Sequence, residues 1–159
     1  MWSQLIMETG ARRAIYRQSA ILAAIMLVCC ARASAAQPDE VQPPRNAIIL
    51  FVAAWCAPCH GEVRALPEIA ASAAPMRVFV VTTDDTRGTA RMMARVPDER
   101  RWRLSPGDAS AIMRRLAGTA PGLPISVAID ATGKVCAVVR KPLSADLAAA
   151  VRTRCRAAT

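Results

Sequence analysis

Two cysteines three positions apart, Cys56 and Cys59, are the side chains in this sequence best suited to chemistry. They lie where the apolar run 47–54 ends and a segment with helical character, 56–74, begins. A thiol at a helix N-terminus has a lowered pKa, because unpaired backbone N–H groups and the helix dipole stabilise the thiolate. Cys56 is therefore the expected thiolate. Cys59, shielded one turn later, is placed to close a disulfide or to resolve a mixed one.

The same pair allows other chemistry. With His60, the only histidine, the two cysteines match the C-x-x-C-H motif for c-type haem attachment, in which a methionine would have to supply the opposite iron ligand. Thiolates are also soft ligands for Cu(I). A structurally inert disulfide is a further alternative. The buried strand predicted before the motif favours a redox dithiol, with His60 as an exposed residue of the first helical turn.

The N-terminal segment has the pattern of a secretory signal. Arg12, Arg13 and Arg17 precede the uncharged run 18–31, and small residues at 33–35 match the spacing that a signal peptidase reads. The uncharged run is shorter than the ~20 residues that a membrane-spanning helix needs. We therefore predict a cleaved signal peptide at 1–35 and a periplasmic protein, with 36–46, rich in proline, as a flexible leader.

The net charge alone excludes few classes of function, but the predicted export excludes more. The chain has 21 basic and 12 acidic residues. Removing 1–35 takes away four arginines and one glutamate, which leaves a net charge of +6. Such a charge can steer an acidic partner, but an exported protein is not expected to bind nucleic acid. An oxidising compartment also permits a second disulfide, so Cys136 and Cys155 are either bonded or two separately buried thiols.

Apolar runs and capping residues predict the order of elements. Helix 56–74 contains Pro67, which should kink or divide it. Asp84 and Asp85 are candidate caps for the helix at 86–95, Ser105 for the helix at 105–116, and Ser144 for the last helix. Strands are predicted at 47–54, 76–83, 125–129 and 135–140, the last two joined by a turn at 130–133. This order predicts an α/β domain over 47–159, with a mixed four-stranded sheet and helices on both faces.

With this order in place, the sequence resembles the thioredoxin superfamily, and within it the exported thiol-disulfide oxidoreductases that include the cytochrome c maturation reductases. The residues that carry the resemblance are Trp55-Cys56-Ala57-Pro58-Cys59, Glu62 and Gly122-Leu123-Pro124-Ile125. The resemblance implies a minimal thioredoxin-like fold in which Pro124 is cis and faces the cysteines. It also implies that Leu123 offers its backbone to an extended substrate, with Trp55 beside it.

The sequence departs from thioredoxins at Leu50, where the family carries a buried aspartate that accepts the proton of the second cysteine. Glu62 or water would have to serve as proton relay for Cys59. The leading strand and helix of full thioredoxins are also missing before residue 47.

The expected function is thiol-disulfide exchange with exported protein clients in the reducing direction. The resemblance further implies a membrane dithiol protein as electron donor and clients such as apocytochromes. We expect a monomer that needs no bound cofactor or metal. The copper-binding and haem-binding alternatives would use Cys56, Cys59 and His60.

Overall fold

The computed structural model describes residues 41–119 and 122–157; the predicted signal peptide and the first part of the leader lie outside these ranges. The strands are β1 (Ala47–Val52), β2 (Arg77–Thr82), β3 (Ile125–Ile129) and β4 (Val135–Val139). The helices are α1 (Ala57–Arg64), α2 (Leu66–Ala73), α3 (Arg87–Met93), α4 (Pro106–Ala117) and α5 (Ala145–Ala157), with a short 3-10 helix at Asp98–Arg100. None of the helices in the described ranges is long and apolar enough to cross a membrane.

The four strands form one mixed sheet in the order β2-β1-β3-β4. β1 pairs in parallel with β2 and antiparallel with β3, and β4 pairs antiparallel with β3. Phe51, near the end of β1, is paired with Ile125 at the start of β3. The segment that follows β1 and the segment that precedes β3 therefore meet at the same edge of the sheet.

The central strand β1 divides its side chains between two hydrophobic cores, because alternate residues of a strand point to opposite faces. Ile48, Leu50 and Val52 belong to one core, which α1, α2 and α5 complete, and Ile49 and Phe51 belong to the other, which α4 completes. Every residue of β1 is buried. Helices thus cover both faces, and the predicted fold class is confirmed.

Local sequence chemistry sets most helix ends. The predicted helix 56–74 is divided at Ala65, with Pro67 in the first turn of α2, where proline costs no hydrogen bond. The hydroxyl of Ser105 caps α4, and Gly118 ends it at a φ of 82°. Ser144 accepts a hydrogen bond from the backbone N–H of Leu147 and caps α5.

The predicted cap of α3 was wrong. Thr86, not Asp84 or Asp85, is the N-cap, and its hydroxyl oxygen accepts a hydrogen bond from the backbone N–H of Thr89 at 3.2 Å. Asp84 instead accepts a hydrogen bond from the Thr89 hydroxyl. The carboxylate is therefore bonded to a side chain within the helix rather than to the helix's first backbone N–H groups.

Candidate active site

Cys56 and Cys59 form a disulfide at the N-terminus of α1, with an S–S distance of 2.02 Å and a Cα–Cα distance of 5.3 Å. Cys56 is the N-cap residue of this helix. Its sulfur accepts a hydrogen bond from the backbone N–H of Cys59 at 3.3 Å. The structure thus places Cys56 where the sequence predicts a stabilised thiolate, at a helix start where the backbone N–H of Cys59 donates to its sulfur.

The disulfide is buried, whereas the preceding residue is not. Cys56 is 3% exposed and Cys59 is 0% exposed, while Trp55 is 70% exposed. A large aromatic side chain that remains in solvent next to a buried dithiol is available to contact a partner.

The peptide bond between Leu123 and Pro124 is cis. Because Ile125 pairs with Phe51, this bond lies at the sheet edge from which the chain continues to Cys56. Leu123 also packs against the core that contains Cys56 and Cys59. The two segments that the resemblance connects, far apart in sequence, are therefore brought to one edge.

Glu62 is an ionisable side chain that α1 buries. It is 3% exposed, and its Oε1 accepts a hydrogen bond from the backbone N–H of Leu143 at 2.8 Å. Its Oε2 has no hydrogen-bond partner within the described residues. Burial raises the pKa of Glu62 from 4.5 to about 7, and the bond from Leu143 opposes this rise. Glu62 follows Cys59 by three positions, which places both on the same side of the helix.

Leu50, at the position of the thioredoxin aspartate, is fully buried in the same core as the two cysteines. β1 therefore offers no proton acceptor at this position. In the described part of the chain, a buried carboxyl group reaches this core from α1 instead.

Ala54, two residues before Cys56, is hydrogen-bonded through both its backbone N–H and its carbonyl oxygen. Its backbone N–H donates to the hydroxyl oxygen of Thr89 at 3.1 Å, and its carbonyl oxygen lies 2.8 Å from Nε2 of His60. His60 is therefore half-buried and bonded, not the exposed residue that its position suggested. No local sequence pattern indicates the contact with Thr89, which bridges 35 positions.

A second disulfide joins Cys136 on β4 to Cys155 on α5, with a Cα–Cα distance of 5.1 Å. Ile129, at the end of β3, pairs with Ala47 of β1 on one side and with Val135 of β4 on the other. Cys136, the residue after Val135, therefore lies near the start of β1. This is the opposite edge of the sheet from Cys56. The pairing that the sequence left open is thus present, away from the first disulfide.

Known structures resemble this fold. No model of a protein family matches the sequence, and no curated protein is significantly similar to it. A thioredoxin-related protein from Neisseria meningitidis serogroup B superposes with a TM-score of 0.56 at 17% identity, over 76% of this chain and 92% of that one. A thioredoxin family thiol:disulfide interchange protein from Chlorobium tepidum TLS gives 0.52 at 21% identity, over 70% and 81%.

A third structure is more similar in sequence. It is a protein from Chlorobium tepidum proposed to be a thiol:disulfide interchange protein DsbE, with a TM-score of 0.51, 29% identity and coverage of 70% of this chain and 78% of that one. Together with the disulfide at the start of α1, it defines the class of this protein: a thioredoxin-like thiol-disulfide oxidoreductase. The resemblance seen in the sequence is confirmed.

Proposed function

We propose that this protein is a periplasmic reductase that transfers two electrons from the dithiol of Cys56 and Cys59 to disulfides of exported client proteins. The observation that carries this proposal is the Cys56–Cys59 disulfide at the N-terminus of α1, at the same sheet edge as the cis bond before Pro124. The periplasmic location rests on the signal peptide predicted at 1–35. The protein would act as a monomer.

The reaction starts from the reduced protein. The Cys56 thiolate attacks one sulfur of the client disulfide, which forms a mixed disulfide and releases a client thiolate. Cys59, once deprotonated, attacks the Cys56 sulfur, expels the second client thiolate and closes the disulfide seen in the structure. The client gains two electrons, and its two thiolates take up the two protons that the cysteines lost.

Three residues are proposed to hold the client. Trp55 is exposed beside the disulfide, and Leu123 and Pro124 lie at the same sheet edge. An extended client segment would pair with the backbone of Leu123 and place its disulfide over Cys56, as the resemblance implies. The only feature that this binding mode requires of a client is a disulfide in an exposed, extended segment. Apocytochromes awaiting haem attachment fit that description.

Glu62 is the proposed proton relay for Cys59. A group with a pKa of about 7 gives up and takes back a proton readily near neutral pH. Its Oε2, free of hydrogen bonds in the described residues, is available to accept the Cys59 proton as Cys59 attacks. Glu62 then passes this proton to the departing client thiolate. A membrane dithiol protein, the proposed electron donor, supplies two electrons and two protons when it reduces the disulfide again.

Single cysteine variants test the reaction. Cys56→Ser should abolish reduction of insulin disulfides, since it removes the attacking sulfur, whereas Cys59→Ser should accumulate a mixed disulfide that gel electrophoresis without reductant detects. Cys136→Ser is the control, because it replaces a cysteine at the opposite edge of the sheet from Cys56. Insulin reduction that persists in both active-site variants would rule out this enzyme class. A Soret band, or copper bound one to one by the reduced protein, would instead support the haem or copper alternative.

A further inference from the structure

The short segment between β1 and Cys56 is held from outside by two helices. The backbone N–H of Ala54 donates to Thr89 in α3, and its carbonyl oxygen accepts from His60 in α1. The backbone N–H of Cys56 donates to the carbonyl of Ala53 at 3.1 Å. Ala54 is thus fixed at both of its peptide groups immediately before the exposed Trp55 and the proposed nucleophile.

The hydroxyl group of Thr89 uses its full hydrogen-bonding capacity. It accepts from the backbone N–H of Ala54 and from the hydroxyl of Thr86 at 3.2 Å, and it donates its own hydrogen to Asp84. One donor and two acceptor positions are all that a hydroxyl group offers. Because Thr89 is 3% exposed, solvent is poorly placed to replace a lost bond. The acceptor for Ala54 is therefore held in one orientation.

Gly88 adds a close approach between α3 and the same residue. A Cβ atom built on Gly88 would lie 2.9 Å from the Cβ of Ala54, closer than such atoms come in proteins. The first turn of α3 therefore lies against Ala54 with no room for a side chain at position 88. Packing and hydrogen bonding act on the same residue from the same helix.

We propose that Thr89, assisted by His60, is a positioning residue that keeps Cys56 at the N-terminus of α1 when the disulfide is open. This role rests on the proposed function, in which Cys56 attacks as a thiolate. In the oxidised protein the disulfide itself ties Cys56 to Cys59. After reduction that tie is gone, and the bonds to Ala54 fix the segment that carries Cys56. The stabilisation of a thiolate by a helix falls off within the first turn, so a small displacement of Cys56 raises the pKa of its thiol.

The test is the rate at which iodoacetamide alkylates Cys56, measured against pH in a Cys59→Ala background of the secreted protein. Thr89→Val keeps the shape of the side chain and removes the acceptor for Ala54. Below the pKa of the thiol it should slow alkylation by about fivefold, with rates converging at high pH. Thr89→Ser, which retains the hydroxyl, should stay within about twofold of the parent. Cys59 is alanine in all these proteins, and the other charged or titratable side chains near the site, His60, Glu62 and Arg64 on α1 and Asp84 beside Thr89, are the same in all of them.

Thr86→Val is the matched control, because it removes the cap of α3 and a bond to Thr89 but leaves the acceptor for Ala54 in place. An equal shift in Thr86→Val and Thr89→Val would mean that the effect comes from the stability of α3, and it would overturn the proposal. The proposal would also be overturned if the rate of alkylation in Thr89→Val depended on pH as it does in the parent protein. If Thr89→Val does not fold, Gly88→Ala carries the test: displacement of Ala54 should slow alkylation in the same way, and a parental profile would overturn the role. Alkylation needs no client, so a failure to reduce insulin would contradict the proposed function alone.

Discussion

Ionising the buried carboxyl group of Glu62 costs free energy, so the stability of the protein depends on pH. Its folded pKa of about 7 lies above the value of 4.5 for a free glutamate, because burial disfavours the carboxylate. The folded state therefore binds the proton more tightly than the unfolded state does. The stability that follows is fully present below pH 4.5 and is lost as the pH rises to about 7 and beyond.

This predicts a difference between the wild-type protein and Glu62→Gln. The amide keeps an oxygen for the backbone N–H of Leu143 but cannot ionise. Between pH 4.5 and pH 8 the wild-type free energy of unfolding should fall relative to that of Glu62→Gln by on the order of 3 kcal/mol. Urea unfolding at the two pH values measures it. Glu68→Gln, on the exposed side of α2, should follow the wild type; parallel curves for the wild type and Glu62→Gln would show that Glu62 is not a buried acid.

The same substitution should slow one chemical step. Without a group to take the proton of Cys59, resolution of the mixed disulfide is expected to fall by about 10²-fold at pH 7, while capture of the client by Cys56 keeps its rate. Rapid-quench sampling of the mixed disulfide separates the two steps. Equal rates of resolution in Glu62→Gln and the wild type would leave water as the acceptor.

At the scale of elements, the disulfide between Cys136 and Cys155 fastens the last helix to the edge strand of the sheet. α5 packs against α2 and β4 and contributes Val151 and Cys155 to the core below the active site. The bond closes a loop of 19 positions. It lies at the opposite edge from Cys56, so its role is expected to be mechanical rather than catalytic.

Replacing both cysteines with alanine should lower the free energy of unfolding by roughly 3 kcal/mol, on the chain-entropy estimate for a loop of this length. Insulin reduction at 25 °C by the folded variant should match that of the wild type. Chemical denaturation and a turnover assay on the same sample measure both quantities. Lost turnover in a folded double variant would contradict a purely mechanical role for the second disulfide.

The elements that the sequence predicts well are those that local chemistry determines. The division at Pro67 follows from a missing N–H group, the caps at Ser105 and Ser144 from hydroxyl groups at helix starts, and the burial of β1 from an unbroken apolar run. The cap of α3 was mispredicted because neighbouring polar residues compete for it, and a bond between side chains decides which one serves. The bonds on Ala54 arise only when α1 and α3 pack beside it, which no local pattern encodes.

At the scale of the whole molecule, the sheet separates two kinds of disulfide. The sheet edge at the end of β1 carries the Cys56–Cys59 pair and the cis bond before Pro124. The sheet edge at the start of β1 carries the Cys136–Cys155 disulfide. The sequence predicted the first edge because short motifs mark it. It left the second open because two cysteines 19 positions apart can bond only if the fold brings them together.

The proposed location makes a prediction about the whole chain. Expression in a bacterium with a periplasm should release a protein that begins at Ala36, because 33–35 present small residues to signal peptidase. N-terminal sequencing of the periplasmic fraction identifies the cleavage site. Replacing Ala33 and Ala35 with bulky residues should retain the uncut chain in the membrane fraction. Recovery of the uncut wild-type chain from the cytoplasm would contradict export.

The most direct test of the central claim is the reduction potential of the Cys56–Cys59 pair, measured by equilibrating the protein with glutathione buffers and quantifying the free thiols. The double variant that lacks Cys136 and Cys155 confines the signal to this pair. A reductase should titrate near the reducing end of the range of about −270 to −120 mV spanned by related proteins. A potential near −120 mV would contradict the reducing direction, and a pair that stays oxidised throughout this range would contradict the redox role itself.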